Sequence, residues 1–182
     1  MRKTISSTFI SLDGVINHME HWHFDYIDDD TGAIVLEQLQ ASDAVLMGRA
    51  TYEAYAAVWP DRDEEYAQLL NSMDKYVAST TLSEPAWNNT TVLDGDLIES
   101  VRALKEAGDG DILLHGYGPV AKALLRHGLL DELFLWVHPV LAGVGSLGDT
   151  LLDDGLHAVL TPLDVRRLES GVVILHYSAQ QP

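Results

Sequence analysis

Hydrophobic and polar positions along the chain alternate between strand-like and helix-like patterns. Residues 3–12 are rich in Thr, Ile, Ser and Phe, which predicts a first strand, and the apolar run 43–47 predicts a short buried one. Between them, a polar and aromatic loop is predicted up to about residue 30, and apolar positions then recur at helical spacing over 34–42. This alternation is typical of an α/β protein in which helices cover a sheet.

The alternation continues to the end of the chain. It predicts helices over 48–58, 64–71, 97–107 and 119–127, and strands over 75–79, 90–93, 111–115, 132–140, 158–168 and 172–178. Asp96 and Glu99 have the spacing of a capping box at the start of one helix. The last two strands are joined by a short turn at 169–171, which makes the sheet mixed. With no internal repeat or linker, the pattern predicts one domain over residues 1–182.

Charge and composition narrow the function classes. The chain has 28 acidic and 11 basic residues, a formal net charge of −17, while 47% of its residues are apolar. A strongly negative surface repels phosphate backbones and anionic lipids, which disfavours nucleic-acid and membrane binding. The sequence has no cysteine, which excludes disulfides, thiolate metal sites and thiol nucleophiles. We recognise no signal peptide or membrane-spanning segment, so the expectation is a cytoplasmic protein.

Two predicted strand-to-helix junctions have patterns that suit an anion. The run Gly116-Tyr117-Gly118-Pro119-Val120-Ala121 follows a buried strand and opens a helix, where free amides and the helix dipole can hold a pyrophosphate. Gly48 and Arg49 begin another helix in the same way, and a guanidinium can add a bidentate contact. The alternatives are a tight turn of small residues and a surface ion pair between Arg49 and Glu53.

A cluster of hydroxyl side chains leaves the strand predicted at 75–79. Ser79, Thr80 and Thr81 can donate to a phosphate, such as the 2′-phosphate that distinguishes NADP from NAD. An ordinary polar turn is the alternative for this segment on its own. Taken together with Arg49, the cluster favours NADPH over NADH.

Several motifs in a fixed order resemble a known family. They are Ser11-Leu12-Asp13-Gly14-Val15-Ile16, Leu46-Met47-Gly48-Arg49 with Thr51-Tyr52-Glu53, Val77 with Ser79-Thr80-Thr81, Ile112-Leu113-Leu114-His115-Gly116, Gly128-Leu129 with Asp131-Glu132-Leu133, and Pro139-Val140-Leu141 with Gly143 and Gly145. The set resembles the dihydrofolate-reductase-like superfamily. Its nearest branch is the stand-alone relatives of the riboflavin-biosynthesis (RibD) C-terminal reductase domain. The resemblance covers nearly the whole chain.

The resemblance implies an α/β, dihydrofolate-reductase-like three-layer fold. The sheet would be mixed, mostly parallel, with about eight strands flanked by helices, and the protein would commonly be a homodimer. NADPH would lie along the strand ends, with its phosphates at Gly48, Arg49 and Thr51 and its 2′-phosphate near Ser79 and Thr80. The pyrophosphate would be wrapped by the turn Gly116, Tyr117, Gly118, Pro119 and Val120. The family often has a second Gly where this chain has Tyr117.

The loop after the first strand is the expected substrate region. The resemblance places Leu12, Asp13 and Gly14 beside the nicotinamide and the substrate cleft. Further along the loop, aromatic side chains that could wall the cleft and exclude water are Trp22, Phe24 and Tyr26. Plain loop packing is the alternative for these rings. The loop at 17–30 contains no Lys or Arg for a ribosyl-phosphate substrate.

The same loop contains His18, His21 and His23, which raises the question of a metal site. Their spacing is not that of a helical His pair, and a loop holds ligands loosely, so we expect no metal. Asp13 is the expected catalytic residue, as an acid or as the group that orients a water. An ordinary Asp-Gly turn is the alternative for it.

The leading interpretation is an NADPH-dependent reductase that transfers hydride to a small pteridine-, pyrimidine-, carbonyl- or imine-type substrate. One specific form is an enzyme like 5-amino-6-(5-phosphoribosylamino)uracil reductase of riboflavin biosynthesis. The alternative from another class is a non-catalytic, nucleotide-binding dimeric protein that retains the fold. A third hypothesis, metal-dependent hydrolysis through the histidine loop, predicts zinc in the purified protein.

Overall fold

The computed structural model describes residues 2–151 and 155–179, so residues 1, 152–154 and 180–182 of the predicted domain lie outside it. In chain order the strands are β1 Thr4–Ile10, β2 Ser42–Gly48, β3 Asp74–Ala78, β4 Thr90–Leu93, β5 Asp111–His115, β6 Glu132–Val137, β7 Leu160–Arg167 and β8 Val173–Ala179. The α-helices are α1 Asp29–Gln40, α2 Arg49–Ala56, α3 Glu65–Ser72, α4 Leu97–Glu106 and α5 Pro119–Arg126.

The eight strands form one sheet in the order β4-β3-β2-β5-β1-β6-β8-β7. The six strands from β4 to β6 are parallel, with Ser6 of β1 opposite Leu114 of β5 and Leu133 of β6. β8 is antiparallel to both β6 and β7. The predicted mixed, mostly parallel sheet of about eight strands is therefore confirmed.

Alternating side chains of the central strands pack into two large cores on opposite faces of the sheet, and a third, smaller cluster forms around Trp136 of β6 and Ile174 of β8. On β2, Leu46 belongs to one core, while Val45 and Met47 belong to the other. Helices α4 and α5 cover the first core with the buried side chains Val101, Ala121 and Leu124. Helices α1, α2 and α3 cover the second core with Leu39, Tyr52 and Leu70. This three-layer arrangement explains why β2 and β5 are continuous apolar runs, since both faces are covered.

Local capping sets the starts of α1 and α4. Asp28 accepts a hydrogen bond from the Thr31 amide at 2.8 Å, so α1 begins at Asp29, five residues before its predicted start. Asp96 accepts from the amides of Ile98 and Glu99, as the predicted capping box requires. The Glu99 carboxylate accepts from Arg102 at 3.3 Å instead of folding back, so only half of that prediction is realised.

The carboxyl ends of the parallel strands lie at one edge of the sheet, and this edge positions the candidate site. β2 ends at Gly48 and leads directly into α2, while β5 ends at His115 and leads through residues 116–118 into α5. In open α/β sheets, ligands bind outside these ends. Among the described residues, no helix is long and apolar enough to cross a membrane.

Candidate cofactor and substrate site

Two helices begin side by side at the carboxyl edge of the sheet. Gly48 precedes α2 and Gly118 precedes α5, and neither helix start in the described chain receives a side-chain cap. A Cβ built on Gly48 would lie 3.5 Å from Cγ2 of Val120, in the first turn of α5. The first-turn amides of a helix have no partner inside it, so these two starts offer hydrogen-bond donors and positive dipole ends to one ligand.

A cleft of about 290 Å³ opens at these two helix starts, and we call it the helix-start cleft. Its walls include Gly48, Arg49, Thr51, Gly116, Gly118, Pro119 and Val120. Gly116 has φ +91°, a conformation that L side chains rarely adopt, and its amide donates to Ser7 O at 2.7 Å. This turn leaves the approach to the amides open, and the site fits a pyrophosphate.

The ring of Tyr117 lies in the core, with 4% of the residue exposed, and it packs with Leu114 and Leu124. The side chain that replaces the family's second Gly is thus directed away from the turn. The sequence departure at this position does not fill the helix-start cleft.

A second cleft of about 720 Å³ continues from the first and is called the hydroxyl cleft here. Ser79, Thr80 and Thr81 line it, and Arg49 lines both clefts. The only charged side chains among the described residues that line the two clefts are Arg49 and Asp94. The predicted hydroxyl cluster and guanidinium are therefore brought together at one place.

Arg49 already has partners in this structure. Its Nε donates to Glu53 Oε1 at 2.7 Å, and Nη1 donates to the Thr81 hydroxyl. The ion pair that the sequence offered as an alternative is present, and both of its side chains are about half exposed. Ser79 Oγ accepts from the amides of Thr81 and Leu82, so this hydroxyl also shapes the turn. An exposed pair of this kind contributes little and can exchange for a phosphate.

A third cavity of about 390 Å³ lies on the other side of Gly116 and Gly118, beneath α1 and α2. We call it the aromatic cavity, because its walls include the aromatic residues Phe9, Tyr55, Tyr66, His115 and Tyr117. The ring centroids of Tyr55 and His115 are 5.6 Å apart. None of the described residues that line it is an Asp, Glu, Lys or Arg. It suits a flat, uncharged molecule.

Burial keeps the titratable groups of the aromatic cavity neutral near pH 7. It raises the pKa of Tyr55 to about 12. Burial, and then the proximity of Tyr55, raises the pKa of Tyr66 far above its ordinary value. Burial lowers the pKa of His115 to about 4. The charged form is disfavoured in each case because it would lose its hydration.

Asp13 anchors a neighbouring loop. Its Oδ1 accepts from the Ser11 hydroxyl and the Ala142 amide, and its Oδ2 accepts from the Gly143 amide at 2.8 Å. The Ser11 hydroxyl and these two amides lower the pKa of Asp13 to about 2. A carboxylate that is ionised near neutral pH cannot serve as a proton donor, so this geometry does not support the predicted role as an acid.

The aromatic rings expected to wall the substrate cleft do not line the aromatic cavity. Trp22 is 4% exposed, and its Nε1 donates to Asn17 O at 2.9 Å. Phe24 is 63% exposed, and Tyr26 packs beside Trp136 and Ile34 in the core. These three belong to a folded loop and its packing, which was the alternative interpretation.

Leu12 and Gly14 shape the chain beside Asp13. Leu12 is 60% exposed, and its amide donates to Val140 O at 2.8 Å. Gly14 has φ +85° and accepts from the Leu151 amide at 2.9 Å. Neither lines the three cavities described above.

The histidines of the loop are dispersed. His23 is buried with its Nδ1 3.0 Å from His138 Nε2, while His18 and His21 are exposed. In the part of the chain that the structure describes, no group of three or more His, Cys, Asp or Glu is placed to hold a metal ion.

Thr51, Gly116, Tyr117 and Gly118 line the aromatic cavity and were predicted, but as cofactor-binding residues; sequence reasoning missed the other residues of its walls. Ser7 and Phe9 alternate along one face of β1, and Thr51 and Tyr55 are four residues apart on α2, so each pair shares a face. The spacing within each pair, together with the predicted phosphate junction at Gly48 and Arg49, was the sequence signal that could have indicated a shared cavity. Gln38 of α1 also lines the cavity and had no local signal at all.

Known proteins share this fold and sequence pattern. A Bacillus subtilis protein, YyaP, is 29% identical over 184 residues, covering 97% of this chain and 94% of its own. A putative riboflavin biosynthesis protein from Shewanella sp. PV-4 is 20% identical with a TM-score of 0.73, covering 98% of this chain and 99% of its own. A pyrimidine reductase-like protein from Corynebacterium diphtheriae is 13% identical with a TM-score of 0.72, covering 100% and 93%.

A larger enzyme also contains this fold. It is a diaminohydroxyphosphoribosylaminopyrimidine deaminase/5-amino-6-(5-phosphoribosylamino)uracil reductase from Thermotoga maritima, 17% identical with a TM-score of 0.70. The match covers 98% of this chain and 57% of that one. The family model described as the RibD C-terminal domain matches residues 2–174. The chain therefore belongs to the RibD C-terminal domain family, with the dihydrofolate-reductase-like fold.

Proposed function

We propose that this protein is an NADPH-dependent reductase of a small, ring-containing substrate. One observation carries the proposal: two uncapped helix starts, at Gly48 and Gly118, open beside an aromatic cavity that is lined by no charged residue of the described chain. The first feature suits a dinucleotide pyrophosphate, and the second suits a nicotinamide and a flat hydride acceptor. Membership of the RibD C-terminal domain family supports this assignment.

In this proposal NADPH occupies both clefts, with its pyrophosphate in the helix-start cleft and its 2′-phosphate in the hydroxyl cleft. The amides of Arg49 and Thr51, in the first turn of α2, and those of Gly118 and Val120 at the start of α5 bind the pyrophosphate in the helix-start cleft. The Gly116 amide already donates to Ser7 O, and Pro119 has no N–H to donate. The Arg49 guanidinium and the hydroxyls of Ser79 and Thr80 bind the 2′-phosphate in the hydroxyl cleft. Arg49 exchanges its contact with Glu53 for this phosphate.

NADPH supplies a hydride when it is bound, and the chain supplies alignment and a dry, uncharged surface. Phe9, Tyr55 and Tyr66 pack against the substrate ring in the aromatic cavity. The raised pKa of Tyr55 and the lowered pKa of His115 keep both groups neutral near pH 7. Asp13 holds the loop at Ala142 and Gly143 and exchanges no proton.

Titration with NADPH and NADH tests the proposal through the fluorescence of the four Trp. We expect NADPH to bind more tightly than NADH. The variant Arg49→Ala is expected to lose at least tenfold in NADPH affinity and much less in NADH affinity, because it removes the charged contact to the 2′-phosphate.

Arg102→Ala is the matched control, since Arg102 is also an exposed arginine in a helical ion pair, at 3.3 Å from Glu99. It is expected to leave both affinities unchanged. Absence of NADPH binding at millimolar concentration would reject the reductase, and equal losses for the two cofactors in Arg49→Ala would reject the role of Arg49.

A non-catalytic nucleotide-binding protein is the second candidate, favoured because Asp13 is held as a carboxylate and the described walls of the aromatic cavity contain no Asp, Glu, Lys or Arg to supply a proton. It predicts that NADPH binds but is never oxidised with any pteridine, pyrimidine or carbonyl acceptor, which absorbance at 340 nm reports. The homodimer and the cytoplasmic location implied above stay predictions.

A further inference from the structure

Two side chains of the aromatic cavity have buried polar atoms without a partner. Within the described residues, four buried side-chain N or O atoms make no hydrogen bond, and three of them belong to Gln38 and His115: Gln38 Nε2, Gln38 Oε1 and His115 Nε2. Both residues line the aromatic cavity, and Gln38 also borders a separate cavity of about 400 Å³ whose walls include Glu132 and Arg166. An unpaired buried amide destabilises a folded chain, so a molecule that supplies its partners would compensate for this cost.

The amide of Gln38 specifies what such a molecule must present. It places one acceptor oxygen beside an NH₂ donor, so its complement is an adjacent N–H and C=O on one edge of a ring. Neutral His115 offers one more nitrogen to the same ligand. The rings of Phe9, Tyr55 and Tyr66 supply apolar faces for a flat heterocycle.

The lack of charged residues among the described walls of the aromatic cavity disfavours a phosphorylated substrate. A buried phosphate dianion requires cationic partners, and none of the described residues that line this cavity is Lys or Arg. The Thermotoga maritima enzyme that shares the fold is named for a phosphoribosyl compound. The net charge of −17 on this chain adds to the penalty for such a substrate.

We propose that the substrate is an uncharged, unphosphorylated heterocycle whose N–H and C=O edge is recognised by Gln38. Gln38 is then a specificity-determining residue that acts on the bound ring. The inference rests on the proposed reductase function, because it assigns the ligand of the aromatic cavity beside the nicotinamide. The proposed substrate differs from that of relatives named for a phosphoribosyl compound, because it carries no phosphate.

Calorimetric titration with 7,8-dihydroneopterin and with its 3′-monophosphate tests both halves of this proposal. The two probes share one ring with an N–H and C=O edge and differ only in the phosphate. With NADPH bound, we expect the unphosphorylated probe to bind at least tenfold more tightly. Gln38→Leu, which removes the amide at similar volume, is expected to lose at least tenfold in affinity for it.

Gln40→Leu is the matched control, because Gln40 lies on the exposed side of the same helix and donates to Glu65 Oε1 at 3.4 Å. It should bind the probe as the unaltered protein does. Without ligand, Gln38→Leu should melt at the same temperature or about 2–4 °C higher, since an unpaired amide is replaced by an apolar group.

Tighter binding of the phosphate, unchanged binding by Gln38→Leu, or no binding of either probe would overturn the inference. A melting temperature several degrees lower in Gln38→Leu would also overturn it, because the amide would then have a structural partner. Failure of NADPH itself to bind would reject the proposed function instead. The separate NADPH titration distinguishes the two failures.

Discussion

Two imidazoles are packed together in the core at His23 and His138. His138 Nδ1 lies 2.8 Å from Trp136 O, and a carbonyl only accepts, so Nδ1 carries the proton and Nε2 accepts from His23 Nδ1. The ring of Phe9 packs 4.1 Å from that of His23. Burial, and then the neighbouring His138, lowers the pKa of His23 to about 4. Burial also lowers the pKa of His138.

This pair predicts that the free energy of unfolding falls as the pH is lowered from about 6.5 towards 4. In that interval the unfolded chain binds protons at these imidazoles and the folded chain does not. Each such group contributes a slope of up to about 1.4 kcal/mol per pH unit. Urea unfolding at pH 7, 6 and 5 measures this slope.

His23→Gln should reduce the slope, while His127→Gln, at an exposed position, should leave it unchanged. Measurements at pH 5 and higher lie largely above the titration of Asp13 and Asp28, whose pKa values are lowered to about 2 by hydrogen bonds. An identical slope in His23→Gln and the unaltered protein would show that His23 does not stay neutral when the chain folds.

At the scale of elements, the helices differ in how they begin. The side chains of Asp28 and Asp96 cap α1 and α4, whereas glycines precede α2 and α5. Capping stabilises a helix by occupying its first amides, so an uncapped start keeps them available for a ligand. The two starts that follow a glycine both open into the helix-start cleft, whereas α3, which also begins without a side-chain cap, contributes no residue to it.

Gly118→Asp tests this division between stability and binding. The position has space, since a Cβ there meets nothing within 4 Å, and Asp can cap α5. We expect stability to rise by a few tenths of a kcal/mol and NADPH affinity to fall at least tenfold, because the carboxylate occupies the amides and repels the phosphates. Gly32→Asp, with the same change of charge on α1, should retain NADPH affinity. Unchanged binding in Gly118→Asp would contradict a pyrophosphate site at α5.

The elements were predictable from sequence where their signals are local. Strand-to-helix junctions at Gly48 and Gly118 depend on a few consecutive residues, and the structure places both at one edge of the sheet. The aromatic cavity was not predictable, because Phe9, Gln38 and Tyr55 meet only through the way α1 and α2 cross the sheet. Trp22 was expected to be an aromatic wall of the cleft, whereas its ring packs 5.1 Å from that of His138, a contact that no local pattern indicates.

At the scale of the whole molecule, the net charge of −17 opposes an anionic cofactor. The described walls of the helix-start cleft and the hydroxyl cleft contribute one positive side chain, Arg49, and one negative one, Asp94. The proposed NADPH binding would therefore rest on amides, hydroxyls and helix dipoles, which act over short distances.

This balance predicts that salt changes NADPH affinity little or improves it. Added ions screen the long-range repulsion between the protein and the cofactor phosphates, while the short contacts at the helix starts are screened less. Titration in 50 and 500 mM NaCl measures the effect. A steep loss of affinity at the higher concentration would mean that cationic side chains dominate the phosphate site.

The order of the sheet has a consequence for synthesis on the ribosome. β8 lies between β6 and β7, although it follows both in the chain. While the nascent chain ends before Val173, β6 has an open edge and β7 has no neighbour to pair with. An open strand edge is a template for aggregation. A chain that stops at this point would therefore expose an unpaired edge of β6 and leave β7 outside the sheet, and the last strand to emerge is the one that joins them.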